Sequence, residues 1–224
     1  MKQSLIKFKS YWESDASFIS LLVMLVFTVF VLPVIIDIQS EDSTILFNLL
    51  LISLFVVGLF SAREKVFIVI SIVFVSLHLL LRVIRFSDTS YEFYFIERVV
   101  IVLNLVLFAV INMRLLFRDN EVNTYRIIGA VNVYLSVALA GAFGFELIHL
   151  WTGKSLAGEV NLIGGDRDFI TYTYFGLSSL TTVGFGDIYP ASASARMLSV
   201  FLSAIGILYP AVVIARLVST GKVA

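Results

Sequence analysis

Six consecutive residues, Thr182-Val183-Gly184-Phe185-Gly186-Asp187, have types and a spacing suited to binding a bare cation. Two glycines alternate with Val183 and Phe185, so every second residue can take backbone dihedrals that side chains normally forbid. Such a run can turn successive carbonyl oxygens toward one axis while its side chains point away. Four copies around that axis would stack rings of oxygens that replace the water shell of a dehydrated ion. Thr182 adds a hydroxyl at the inner end and Asp187 a carboxylate at the outer end. Little else in the chain competes for chemistry. There are no cysteines and two histidines, which excludes disulfides and thiolate chemistry and makes a His-rich metal site improbable. No acid–base pair, nucleotide loop or metal cluster stands out, so the chain reads as a non-enzyme without a cofactor.

The string Thr182–Asp187 resembles the selectivity filter of potassium channels, with phenylalanine where tyrosine is commoner. The flanks agree: Tyr174-Phe175-Gly176-Leu177-Ser178-Ser179-Leu180 before it, and Ile188-Tyr189-Pro190 and Ile214-Ala215-Arg216-Leu217-Val218 after it. Together they are similar to the pore module of bacterial channels with two pore-forming helices per subunit, over roughly residues 125 to 220. The resemblance implies K+ held at Thr182, Val183, Gly184, Phe185 and Gly186, in a homotetramer. It also implies that Tyr174 donates a hydrogen bond to Asp187 and braces the filter from behind. Phe185 lacks the hydroxyl of the commoner tyrosine, so one outer strut is missing and slow filter closure becomes more plausible. Relatives often differ at Ser178, whose hydroxyl receives no role.

The elements that must position this segment are apolar. Residues of hydrophobic type make up 59% of the 224, charged ones 14%, and the formal net charge is zero. That composition belongs to an integral membrane protein, and neutrality argues against nucleic acid as a partner. Apolar segments at about 17–36, 44–60, 66–86, 95–117, 127–150 and 192–219 predict six crossings, the second being short. Pro33 lies near the end of the first, where a kink costs little. Residues 1–15 mix Lys2, Lys7 and Lys9 with aromatics and suit either a surface helix or a basic tail; Ser14 or Asp15 would cap the helix that follows. Loop charge places both termini in the cytoplasm of a multi-pass cell-membrane protein: acidic linker 37–43 outside, Arg63, Lys65, Arg114, Arg118 and Arg126 inside.

The first four spans occupy the position of a voltage sensor. A sensor helix repeats a basic residue at every third position, whereas fifteen uncharged residues separate Arg98 from Arg114. The reading is therefore a sensor-like bundle, residues 1–120, with little voltage dependence and with its arginines as interfacial anchors. Arg82 and Arg85 are expected to snorkel outward or to pair with Asp88, Glu92 or an acid of another helix. His78 reads as a neutral, hydrogen-bonded packing residue, and Asn104 and Asn112 as polar glue between helices.

Residues 121–224 form the pore domain. Ala138, Ala140, Gly141, Ala142 and Gly144 permit close helix approach in the fifth span. Glu146, with His149 one turn on, is either a carboxylate bracing the filter backbone or one half of an interfacial ion pair. Asp166 and Asp168 suit a helix start, and residues 169–181 are too few to cross, so that helix is re-entrant and must be buried in protein. Gly206 is read as a hinge that also packs against the pore helix, since relatives place a glycine at about this distance from the filter. Pro210 should kink the last helix. Ile207, Pro210, Ile214 and Val218 are taken as pore-lining along one face from Gly206, with Ile214 and Val218 as a gate that closes by dewetting.

The expected whole is an all-α membrane protein of six transmembrane helices plus a pore helix and filter, conducting potassium passively as a homotetramer in lipid. A weakly selective cation channel, a potassium transporter subunit and an accessory membrane subunit are the alternatives. With no cytoplasmic ligand-binding domain after Thr220, any such regulator is separate or removed.

Overall fold

The computed structural model describes residues 17–38, 43–61, 65–87, 91–118 and 124–220. The amino-terminal segment with its caps, and the linker residues Glu41, Asp42, Arg63 and Asp88, lie outside them. Seven helices follow in order: α1 (Ser17–Ile38), α2 (Ser43–Ser61), α3 (Lys65–Ser87), α4 (Tyr91–Arg118), α5 (Thr124–Thr152), α6 (Phe169–Leu180) and α7 (Ala193–Thr220). Two three-residue strands, β1 (Leu156–Gly158) and β2 (Ile188–Pro190), and a single-turn 3-10 helix at Asp166–Asp168 complete the described chain. Among the described residues five helices are long and apolar enough to cross a membrane; in α2 the apolar stretch is shorter, Ile45–Leu59.

Local sequence explains the departures from regular helix. In α1 the turn Phe27–Val31 widens to a π-helix, with the Leu32 amide bonded to the Phe27 carbonyl. Pro33 follows at once, has no N–H to give the carbonyl four residues back, and crowds the preceding turn. The widened turn accommodates it, so the proline is absorbed by a π-bulge inside the span. In α7, Pro210 sits inside a helix that remains continuous from Ala193 to Thr220.

Packing joins the two halves of the chain. The largest apolar core runs from Leu21, Leu25, Phe47 and Phe55 through Ile101, Leu105 and Phe108 to Leu139, Phe143 and Phe169. Bundle and pore helices therefore share one core. A second core, Ala138, Ala142, Phe145, Tyr172, Phe175, Leu180, Ala195 and Leu202, gathers α5, α6 and α7. Small residues set these approaches. A Cβ on Gly141 would stand 2.6 Å from Leu202, one on Gly144 2.9 Å from Leu198, and one on Gly176 3.2 Å from the Ala142 amide nitrogen. The amides do part of the gluing: the Asn132 side chain donates to the Phe18 carbonyl at 3.1 Å and reaches Asn112 at 3.5 Å. Asn104 is fully buried, and its amide makes no hydrogen bond.

Gly206 makes the tightest approach. A Cβ there would run into the carbonyl oxygen of Leu180, the last residue of α6. Gly206 shares its face with Leu202 and Val213, both buried, and Tyr209, whose hydroxyl donates to the Ala130 carbonyl at 2.9 Å. Ile207, Ile214 and Val218 lie on a different, open side, each about 60% exposed. The face drawn from Gly206 through those residues is thus corrected: the glycine belongs to the packed side. Gly206→Ala should overpack this contact and destabilise the protein by about 1–3 kcal/mol. A thermal midpoint of the detergent-purified protein that does not fall would contradict the assignment.

Candidate functional site

The segment 181–187 leaves α6 without a break in its hydrogen bonding. The amides of Thr181, Thr182 and Val183 donate back to the carbonyls of Leu177 (2.8 Å), Ser179 (3.2 Å) and Ser178 (3.1 Å). From there the chain alternates. Thr182, Gly184 and Gly186 have φ of 60°, 56° and 85°, while Val183 and Phe185 between them stay at negative φ. Among the described residues Thr182 is the one non-glycine with positive φ. For a β-branched side chain that is a strained state, of the kind that clusters where function requires it. Alternating handedness of this kind can turn successive carbonyls to one side of a strand. The whole run is exposed, with Val183 at 54% and Phe185 at 70%.

Three braces hold this backbone. The Gly184 amide donates to the Ser178 hydroxyl at 3.2 Å, a role absent from the sequence reading. The Tyr174 hydroxyl donates to Asp187 at 2.7 Å, and the Tyr174 and Phe185 rings stack with centroids 6.0 Å apart. Behind Asp187, β1 and β2 pair antiparallel, Gly158 opposite Ile188. Gly158, at φ 115°, lets the Asp187 carbonyl pass where a Cβ would block it, and the Glu159 amide donates to that carbonyl at 3.0 Å.

The carboxyl end of α6 is bound by its neighbours. Ser203 donates to the Ser179 carbonyl at 2.8 Å, the Ser179 and Ser199 hydroxyls meet at 3.0 Å, and the Tyr134 hydroxyl approaches the Leu180 carbonyl at 3.5 Å. Free carbonyls at a helix end carry partial negative charge, so these donors fix the end without adding a full charge.

The amino end of α6 is held differently, by buried ions. Asp166 accepts from Arg82 of α3 at 2.8 Å, from Arg98 of α4, and at 3.5 Å from Asn48 of α2. Arg98 also donates to Glu146 of α5 at 2.9 Å, which takes a second bond from Tyr94; Arg82 reaches Glu97 at 3.3 Å. Arg98, Glu97, Glu146 and Asp166 are all buried. This corrects the picture of these arginines as interfacial anchors: the pairing expected for Arg82 is with acids of other elements, and the Arg85 side chain lies outside the described residues. Charges inside apolar helices demand partners, so a partner was foreseeable, though its identity was not.

The remaining sequence candidates fall into place around this network. Glu146 is in an ion pair, with Arg98, but a buried one and not the interfacial pair expected. Asp168 makes no cap bond to α6; its carboxylate accepts the amides of Ile163 and Gly164 at 3.1 and 2.8 Å and folds the preceding loop. His78 packs edge-on against Phe55, 3.8 Å from Glu97, and neither ring nitrogen makes a hydrogen bond, contrary to the expected one.

Two tests follow from the braces. Ser178→Ala removes the Gly184 amide's acceptor, a loss of about 1 kcal/mol per subunit. Amide exchange at Gly184 in the purified protein should then rise roughly fivefold, and unchanged exchange would contradict the brace. The bond from Tyr174 holds the Asp187 carboxyl below the usual carboxylate range and raises Tyr174. A depressed acid stabilises its folded contact fully above the ordinary value near 4 and loses it as pH falls through the lowered one. Acid should therefore leave the pair intact at pH 5 and break it only below about pH 4, and Tyr174→Phe should move that midpoint upward, as read by Asp187 titration.

Residues 133–222 match the family model described as ion channel. That stretch begins in α5 and takes in the 181–187 segment with its braces and all of α7. No curated protein and no solved structure matches the chain. Apolar helices and this match together support a membrane protein with an ion-channel region in its carboxyl-terminal part.

Proposed function

We propose that four copies of this chain form a potassium-selective channel, conducting passively along an axis lined by the 181–187 backbone. The observation that carries the reading is the alternation of handedness at Thr182, Gly184 and Gly186 on the end of a helix too short to cross. It gathers carbonyl oxygens on one side, as replacement of an ion's water shell requires. The α6 helix, 12 residues or ~18 Å long, ends within the protein and aims its partial negative charge where a cation would pass. Tyr174, Asp187 and Ser178 support the filter.

A single copy offers one wall of such a pathway, and no second 181–187 segment occurs in the sequence. A fourfold ring with head-to-tail contacts closes it. The exposed apolar side of α7 with Ile207, Ile214 and Val218 then faces the conduction path below the filter, and Ile214 and Val218 form the gate. Gly206 serves packing in the present state; bending at Pro210 remains the available hinge. The six crossings leave both termini in the cytoplasm. Arg82 and Arg98 are held by acids, which supports a bundle that moves little charge with voltage.

A weakly selective channel differs only in ion preference, and a transporter subunit in carrier-like saturation of flux. Reversal potentials of the purified chain in liposomes under opposed potassium and sodium gradients test the first, and the dependence of flux on potassium concentration tests the second. The account predicts reversal near the potassium equilibrium potential. Gly184→Ala meets open space at its Cβ but must hold φ 56°, about 1–2 kcal/mol per subunit against it, repeated four times. Selective current should vanish in that variant; an unchanged preference for potassium would count against the proposal.

A further inference from the structure

We propose that Arg98 is a positioning residue for the 181–187 segment: it clamps the amino end of α6 through Asp166 and α5 through Glu146. The inference rests on the conduction reading above and extends it to the four-helix bundle.

One guanidinium joins three elements. Its Nε donates to Glu146 at 2.9 Å, and one terminal nitrogen donates to Asp166 and, at 2.9 Å, to the Tyr94 hydroxyl. The planar group lies over the Tyr94 ring at 4.4 Å, with Phe47 and Phe143 at 5.5 and 5.6 Å. Arg98 is fully buried, so water does not compete for these bonds. A rigid fork can serve two carboxylates at once, which a lysine ammonium on a flexible stem does poorly. Arg82, bonded to the same Asp166 carboxylate, and Asn48 bring α3 and α2 to that point as well.

The consequence reaches the ion pathway because α6 is a short rod. Its amino end begins immediately after Asp166–Asp168, and its last turn holds Thr182, Val183 and Gly184 through Ser179 and Ser178. A rod released at one end tilts, and the backbone fixed to the other end moves with it. The bundle thus acts as a clamp on the pore helix, one that keeps the carbonyls aligned during conduction.

The test uses the full chain in liposomes, with Arg98→Lys, Asp166→Asn, the double variant, and Lys65→Gln as an exposed control. Currents during sustained opening and hydrogen exchange over residues 176–186 are read together. Arg98→Lys should keep the potassium preference while current decay and exchange over 176–186 both quicken about fivefold, the equivalent of one lost hydrogen bond. Asp166→Asn, which leaves Arg82 and Arg98 facing a neutral amide, should quicken both by more than Arg98→Lys does, and the double variant no more than Asp166→Asn alone. Wild-type decay and exchange in Arg98→Lys, or effects that multiply in the double variant, would overturn the clamp. Should Arg98→Lys yield no assembled protein, Arg82→Lys and Asn48→Ala decide: a smaller quickening supports the clamp and none overturns it. If the wild type itself passes no potassium-selective current, the conduction reading falls, while the exchange data still report the clamp.

Discussion

A backbone that alternates between left- and right-handed residues has no ladder of its own. Helices and sheets satisfy their amides by repetition, but Thr182–Gly186 turns its carbonyls away from its own chain and must be held from outside. Each nearby feature answers that constraint. The last turn of α6 takes the first amides, the Ser178 hydroxyl takes Gly184, and Tyr174 ties down Asp187. The β1–β2 pair then fixes the chain as it leaves, through a glycine whose missing side chain lets the Asp187 carbonyl through.

The same logic extends to α6, which ends inside the protein and so depends on its neighbours at both ends. At the carboxyl end the contacts are small and neutral: Gly206 beneath Leu180, Ser203 and Ser199 beside Ser179. At the amino end they are charged and dry, gathered on Asp166. Neutral donors suit the end nearest a passing cation, where a fixed charge would dominate the field. Buried ion pairs suit the far end, where breaking one partner leaves an uncompensated charge costing about 3–5 kcal/mol. The shared core from Leu21 to Phe169 carries this linkage through the apolar interior.

Much of this was legible in the residues. Apolar runs placed every helix to within a few residues, because lipid-length segments have few alternatives. The glycine alternation announced the unusual backbone, and the Tyr174–Asp187 contact followed from resemblance. What escaped reading depended on tertiary register. Arg98 and Asp166 lie 68 positions apart, and no local pattern tells a buried pair from two interfacial charges. Ser178 reads as any helical serine until its hydroxyl is seen beneath Gly184. Asp168 stands at the start of α6 as its type suggests, but that its carboxylate folds the loop before it through Ile163 and Gly164 shows only in the structure.

The central claim is that identical backbones from four subunits supply the oxygens that bind one dehydrated monovalent cation. The most direct measurement is a structure of the assembled protein soaked in rubidium or thallium, with anomalous scattering to locate the ions. The account predicts peaks on a fourfold axis level with the carbonyls of Thr182 to Phe185. Subunits that fail to meet around an axis at Val183, or an axis that passes through this segment without ions, would contradict it.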